Sequence, residues 1–168
     1  NGDGIVNASD RYIKDNGVPD VTLGFQSSFT YKNLDFAFNL RASIGNYAYN
    51  NVYSSTAQYS LLQDQSVLGN ISTSTLDYGF RNTADVISSD IYLENASFLK
   101  MDNITIGYTF NPLLKKFKSN SIRLWAGVQN VFTITNYSGL DPEISNNGID
   151  NLIFPRSRTF LLGVNVKF

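Results

Sequence analysis

Five stretches of the chain alternate between apolar and polar residues with a period of two. That period marks a β-strand with one apolar and one wet face. Val21, Leu23, Phe25, Phe29 and Tyr31 alternate with Thr22, Gly24, Gln26, Ser28 and Thr30. After a tight polar turn, Lys32-Asn33-Leu34, the residues Phe36, Phe38, Leu40, Ala42 and Ile44 alternate with Asp35, Asn39, Arg41 and Ser43. Two such runs with so short a connection predict a hairpin. Strand patterning resumes near Ala96, with Ile104, Ile106, Tyr108 and Phe110 on one face. It returns in Ile122, Leu124, Ala126, Val128 and Phe132, and again in Phe160, Leu162, Val164, Val166 and Phe168. The expected strands are therefore about 21–31, 35–45, 96–110, 121–134 and 158–168.

The connections alternate short and long. Residues 32–34 and 111–120 are short turns, whereas 46–95 and 135–157 are long and lack alternation. A short helix is expected around 56–68, where Tyr59, Leu62 and Gln63 fall near helical spacing. Short turns on one side and long loops on the other are the habit of outer-membrane barrels. Asp35, Arg41, Arg123 and Lys167 all fall on the faces opposite the apolar ones. A Lys or Arg facing lipid at mid-membrane would cost roughly 2–4 kcal/mol. Tyr31, Phe36, Tyr108, Phe110 and Phe168 would lie at one level, as part of an aromatic girdle. Five strands cannot close a barrel, which needs about eight. The chain is thus expected to be a piece of a larger barrel, and its start inside a loop-like Asn1-Gly2-Asp3-Gly4 fits that. The competing reading is a soluble β-sandwich, a carbohydrate-binding module with a calcium loop.

Composition narrows the chemistry. The 168 residues carry 13 basic and 14 acidic side chains, so charge gives no argument for nucleic acid. Cys and His are both absent, which removes disulfides, thiolate metal sites, His-based triads and most zinc sites. No apolar run reaches the roughly 18 residues of a transmembrane helix. Asp141 and Glu143 make a carboxylate pair without a His or a cleft, which reads as a capping turn, and no enzyme is expected. Asn1, Asp3, Ile5, Asn7 and Asp10 follow the spacing of half a calcium loop, with Gly4 at its turn and Ile5 offering a carbonyl. Tyr47, Tyr49, Tyr53 and Tyr59 are candidates to touch substrate or a lid protein, since tyrosine pairs a rigid apolar face with a polar tip. Arg41, Asn39, Arg123 and Gln129 would face a barrel lumen, against a plug or along the path.

Several runs stand out as motifs: Asn1-Gly2-Asp3-Gly4 with Asp10-Arg11, Pro19 and Gly24-Phe25; Tyr92-Leu93-Glu94-Asn95-Ala96-Ser97-Phe98-Leu99-Lys100; and Asn103-Ile104-Thr105-Ile106-Gly107-Tyr108. Gln129-Asn130-Val131-Phe132, Asn136-Tyr137-Ser138-Gly139, Asp141-Pro142-Glu143, Pro155, Arg158-Thr159 and Phe168 follow in order. Together they resemble the SusC/RagA family of TonB-dependent outer-membrane transporters. The resemblance covers nearly the whole chain and is weakest over 55–90. It implies the C-terminal five strands of a 22-stranded barrel in the outer membrane of Bacteroidetes. An N-terminal plug, absent here, would carry the TonB box. The family imports glycans or peptides with a SusD-like lipoprotein as lid. The implied surroundings are the rest of the barrel, the bilayer and lipopolysaccharide. Phe160, Leu162, Val164, Val166 and Phe168 would be the signal read by the barrel-assembly machinery.

Overall fold

The computed structural model describes residues 2, 8–57, 70–73, 75–76, 89–110, 121–144, 147–151 and 154–167. In chain order the strands are β1 (Val21–Tyr31), β2 (Leu34–Ile44), β3 (Tyr47–Asn50), β4 (Leu93–Asn95), β5 (Phe98–Phe110), β6 (Ser121–Thr135), β7 (Ile149–Asp150) and β8 (Thr159–Lys167). One short helix, α1 (Asn51–Thr56), follows β3. The chain divides into two compact units. A sheet unit holds Val21–Ile44, Phe98–Thr135 and Arg156–Phe168; a loop unit holds Asn1–Asp20, Gly45–Ser97 and Asn136–Pro155.

The sheet unit is one antiparallel sheet in the order β1-β2-β5-β6-β8. Its registers keep every apolar set on one face. Phe29, Phe36, Ile106, Ala126 and Leu162 form one row across all five strands. Ring pairs Phe25–Phe38, Phe36–Phe38 and Phe29–Phe36 tie β1 to β2 along that face at centroid distances of 5.8, 5.7 and 6.4 Å. The opposite face is polar, with Gln26, Asn39, Asn103, Gln129 and Thr159 in one row. The turn between β1 and β2 is two residues, with Lys32 at φ 54° and Leu34 already in the strand. A sandwich would need a second sheet over the apolar face, and the described residues of this unit contain only one.

Two glycines let long side chains lie flat on the polar face. A Cβ on Gly107 would fall 2.5 Å from the Arg123 guanidinium and 2.6 Å from Asp35 Oδ1. Arg123 therefore crosses β5 to reach Asp35 on β2, donating from Nε at 2.8 Å. Gly163 lies under the Trp125 indole in the same way, and Trp125 Nε1 donates to Asn165 Oδ1 at 2.9 Å.

Strand β5 is not the uninterrupted alternation expected over 96–110. Asn103 pairs with Asn39 but Met101 pairs with Leu40, so Asp102 is an extra residue, a β-bulge. Towards β6, Asp102 faces both Asn130 and Val131, and Asn130 takes a left-handed φ of 53°. The bulge moves the apolar set of β5 from even to odd positions, Leu99 and Met101. It turns Lys100 and Asp102 to the polar face, where Asp102 accepts a two-pronged bond from Arg41.

The long connections also differ from expectation. They hold a second sheet, β4-β3-β7, instead of irregular chain alone. A short helix is described at Asn51–Thr56; of the stretch expected to be helical, 56–68, the residues from 58 onward, including Tyr59, lie outside the described residues.

Candidate functional site

The loop unit holds the tyrosines that the sequence marks as contact candidates. Its centre is small. Ala48 and Ala96 are fully enclosed, and their short side chains leave room for the Tyr137 ring and Ile144 beside it. Strand β3 pairs antiparallel with β4 and parallel with β7, so three distant segments meet on four residues. The amide of Tyr47 donates to Asn16 O at 3.0 Å, and that of Tyr49 to Gly148 O at 2.7 Å. Gly17 and Gly148 are backbone against backbone: a Cβ on Gly17 would fall 2.8 Å from Gly148 Cα.

Polar side chains complete the clasp. Asn50 caps α1 by accepting from Tyr53 N at 2.9 Å. Its amide donates to Glu94 and to Ser138 Oγ, at 3.0 and 3.1 Å. Glu94 also accepts from Ser138 N and Oγ, at 2.8 and 2.7 Å. Tyr137 folds back over Gly139, where a Cβ would meet its ring, and donates to the buried Asp150 at 2.7 Å. Burial, reinforced by that bond, pushes the Tyr137 phenol well above its ordinary range. Asp141 accepts from Glu143 N at 3.0 Å, an Asx turn that accounts for Asp141-Pro142-Glu143.

Within this frame Tyr92, almost fully buried, is gripped edge-on by two rings. Tyr49 stands 6.3 Å from it at 78°, and Tyr53 6.0 Å at 86°. Both outer rings are half-buried, so each keeps exposed surface. Among the described residues the buried Tyr49 hydroxyl has no hydrogen-bond partner. Tyr47 lies two residues earlier on the same face of β3 and is also half-buried. The turn that delivers Tyr92 starts at Asp90, which accepts from Tyr12 and Lys14, both at 2.6 Å. Those two donors hold the Asp90 carboxyl below its ordinary range.

The structure thus brings Tyr49 and Tyr53 together through Tyr92, which sequence reading left inside a family run. Of the calcium candidates, Asn1, Asp3, Ile5 and Asn7 lie outside the described residues; Asp10 ends a short 3-10 turn, Ala8–Asp10. Among the described residues no group of three acidic side chains could hold a metal ion. Phe160, Leu162, Val164 and Val166 line the apolar face of β8, and Phe168 lies outside the described residues. Asn39 and Gln129 share one polar row, with Arg41 and Arg123 on the same face.

Known proteins share sequence and fold with this chain. The TonB-dependent receptor SusC of Bacteroides thetaiotaomicron is 42% identical over 172 residues, covering all of this chain and 17% of its own. The chain belongs to the SusC/RagA family of TonB-dependent receptors. Two receptors of Formosa agariphila, P3 and P39, are 30% and 33% identical over 99% and 96% of the chain, again matching only 18% and 17% of their own length. The chain therefore spans less than a fifth of these relatives. The RagAB peptide importer in its closed-closed state matches 99% of the chain and 20% of its own, with a TM-score of 0.73 at 23% identity. Its open-open state matches 93% of the chain with a TM-score of 0.70. At that identity the likeness is one of fold. No family model matches the chain.

Proposed function

We propose that this chain is a wall segment of a TonB-dependent importer in the outer membrane, formed by the C-terminal strands of its barrel. The observation that carries the reading is the bare apolar face of the sheet unit. Phe29 is 59% exposed, Phe160 74% and Leu162 87%, and every described charge in its five strands lies on the other face. A face of that size in water would drive aggregation, whereas lipid covers it without penalty. Among the described residues no helix is long and apolar enough to cross a membrane.

In this reading the polar face lines the lumen and the turn at Lys32 faces the periplasm. The imported solutes are glycans or peptides. A SusD-like lipoprotein forms the lid, and the half-exposed rings of Tyr47, Tyr49 and Tyr53 are its contacts or those of the solute. A plug elsewhere in the protein couples to TonB, and the apolar set of β8 ending at Phe168 is read during barrel assembly. RagAB, whose fold the chain shares, is a peptide importer by name, and peptides fall within this range of solutes. Deleting the gene should abolish growth on one glycan or peptide source, and purification in detergent should bring down a surface lipoprotein. Recovery of the native protein in a detergent-free soluble fraction would sink the reading. Calcium at Asn1–Asp10 is a separate proposal, checked by terbium luminescence of the whole receptor with and without Asp3→Ala; unchanged emission would count against it.

A further inference from the structure

Asn-Gly steps occur in the chain at Asn1-Gly2, Asn16-Gly17 and Asn147-Gly148. Asn1 lies outside the described residues, and the other two steps meet inside the loop unit. A Cβ on Gly17 would fall 2.8 Å from Gly148 Cα, and one on Gly148 would fall 3.2 Å from Gly17 Cα. The two steps are built alike. Asn16 Oδ1 accepts from Val18 N at 2.8 Å, and Asn147 Oδ1 accepts from Ile149 N at 3.3 Å. Each is an Asx turn, which folds the side-chain carbonyl back over its own main chain. Each also serves β3: Asn16 O accepts from Tyr47 N, and Gly148 O from Tyr49 N. Both asparagines are exposed to water.

An asparagine so placed can react with its own chain. The turn brings the side-chain carbonyl towards the amide of the following glycine, which carries no side chain to shield it. Among the described residues nothing accepts a hydrogen bond from Gly17 N or Gly148 N. The amides of Val18 and Ile149 already donate to the oxygen on which negative charge would develop. The glycine amide gives its proton to solvent hydroxide, and its nitrogen forms a bond to the asparagine Cγ. The oxyanion collapses, the Cγ–Nδ2 bond breaks, and Nδ2 takes a proton from water and leaves as ammonia. Water then opens the resulting succinimide. Cleavage at Cγ gives aspartate; cleavage at the main-chain carbonyl gives isoaspartate, whose backbone runs through the side chain and is longer by one methylene.

We propose that Asn16-Gly17 and Asn147-Gly148 are self-modification sites of the folded protein, and that isoaspartate formed at either one releases the clasp on β3. The extra methylene falls where there is least room for it. Strand β7 meets β3 through only two residue pairs, Tyr49 with Ile149 and Asn50 with Asp150, and Gly148 immediately precedes them. A longer backbone at that point takes the Gly148 carbonyl away from Tyr49 N, and one at Asn16 separates Gly17 from Gly148. Tyr47 and Tyr49 are then held by β4 alone. Proton loss from the amide starts the reaction, so its rate climbs with pH.

The test uses the intact receptor in detergent, kept folded in mild alkali, beside a sample unfolded in urea. Isoaspartate is located by methyltransferase labelling and peptide mapping, and the exchange of β3 amides is followed before and after incubation. The folded receptor should gain label at Asn16, at Asn147 or at both, and amide exchange at Tyr47 and Tyr49 should quicken in the converted fraction. Asn16→Ser combined with Asn147→Ser keeps an oxygen for each turn but cannot cyclise. That variant should hold its slow β3 exchange throughout the incubation. Label that appears only in urea would overturn the proposal, since the fold would then be protecting both steps. Label in the folded receptor with unchanged β3 exchange would overturn the release. Equal loosening of the double serine variant would overturn it as well, because the change would then come from elsewhere.

Discussion

The two units reach order by different means. In the sheet unit the backbone ladder does most of the work: five antiparallel strands, in register but for the bulge at Asp102, with side chains sorted by face. In the loop unit the strands are two to four residues long, too short to hold by themselves. There the work passes to side chains: Glu94 with Ser138 and Asn50, Tyr137 with Asp150, and the rings around Tyr92. The difference teaches what each can tolerate. A sheet face accepts any residue of the right polarity, while a clasp built on single contacts depends on each partner.

The largest effect should come from violating the sheet's sorting. Ile106→Arg, in the middle of the apolar row, should cost roughly 2–4 kcal/mol if that face meets lipid and leave little folded barrel by heat-modifiable gel mobility. Thr105→Arg, one residue away on the polar face, should fold. Equal loss in both would break the facial assignment.

Next come the glycine saddles. Gly107→Val should displace the Arg123–Asp35 pair and destabilise by about 1–3 kcal/mol in denaturant unfolding of the whole protein. Gly24→Val, where nothing lies within 4 Å of the added Cβ, should be close to neutral. Matching losses would mean that the close approach at Gly107 is unimportant.

In the loop unit, Tyr137→Phe leaves the buried Asp150 short of a donor, at a local cost of about 1–3 kcal/mol. Hydrogen exchange should speed up across β3, β4 and β7 and stay unchanged in β5 and β6; a uniform response would erase the distinction between the units. The same residue sets a pH response. Because its folded form holds the proton above the ordinary tyrosine range, the unfolded chain loses that proton first as pH rises. The stabilisation is complete below the ordinary tyrosine pKa and drains away in alkali, and Tyr137→Phe should flatten that decline.

The smallest effect is expected at Asp90, an exposed carboxylate. Its pKa is held low by Lys14 and Tyr12, so its contribution is present above the ordinary aspartate range and lost as pH falls through the lowered value. Exchange of the amides over 11–14 should quicken in acid in the wild type and be fast at all pH in Asp90→Asn. Identical profiles would remove this tether from the account.

Strand faces were legible residue by residue: Phe36, Phe38 and Leu40 name the apolar side of β2 without help from any neighbour. The helix at Asn51–Thr56 was not, because its cap is Asn50 and its packing partner is Tyr92, neither visible as periodicity. Of the four tyrosine candidates, two proved to be joined by a third ring outside the set. The runs Tyr92-Leu93-Glu94 and Asn136-Tyr137-Ser138-Gly139 were recognisable as family features. That Glu94 and Ser138 bind each other was not, since 44 residues separate them.

The sequence by itself determined which residues share a face, because the two-residue period of a strand is a local property of the backbone. It determined the family as well, through runs distributed along nearly the whole chain. The tertiary structure alone decided where the period slips. Asp102 is polar in a polar stretch, and only pairing with β2 and β6 makes it the extra residue that meets Arg41 on the polar face. Charge along a chain is read from one residue at a time, whereas an ion pair exists only once distant strands are in register.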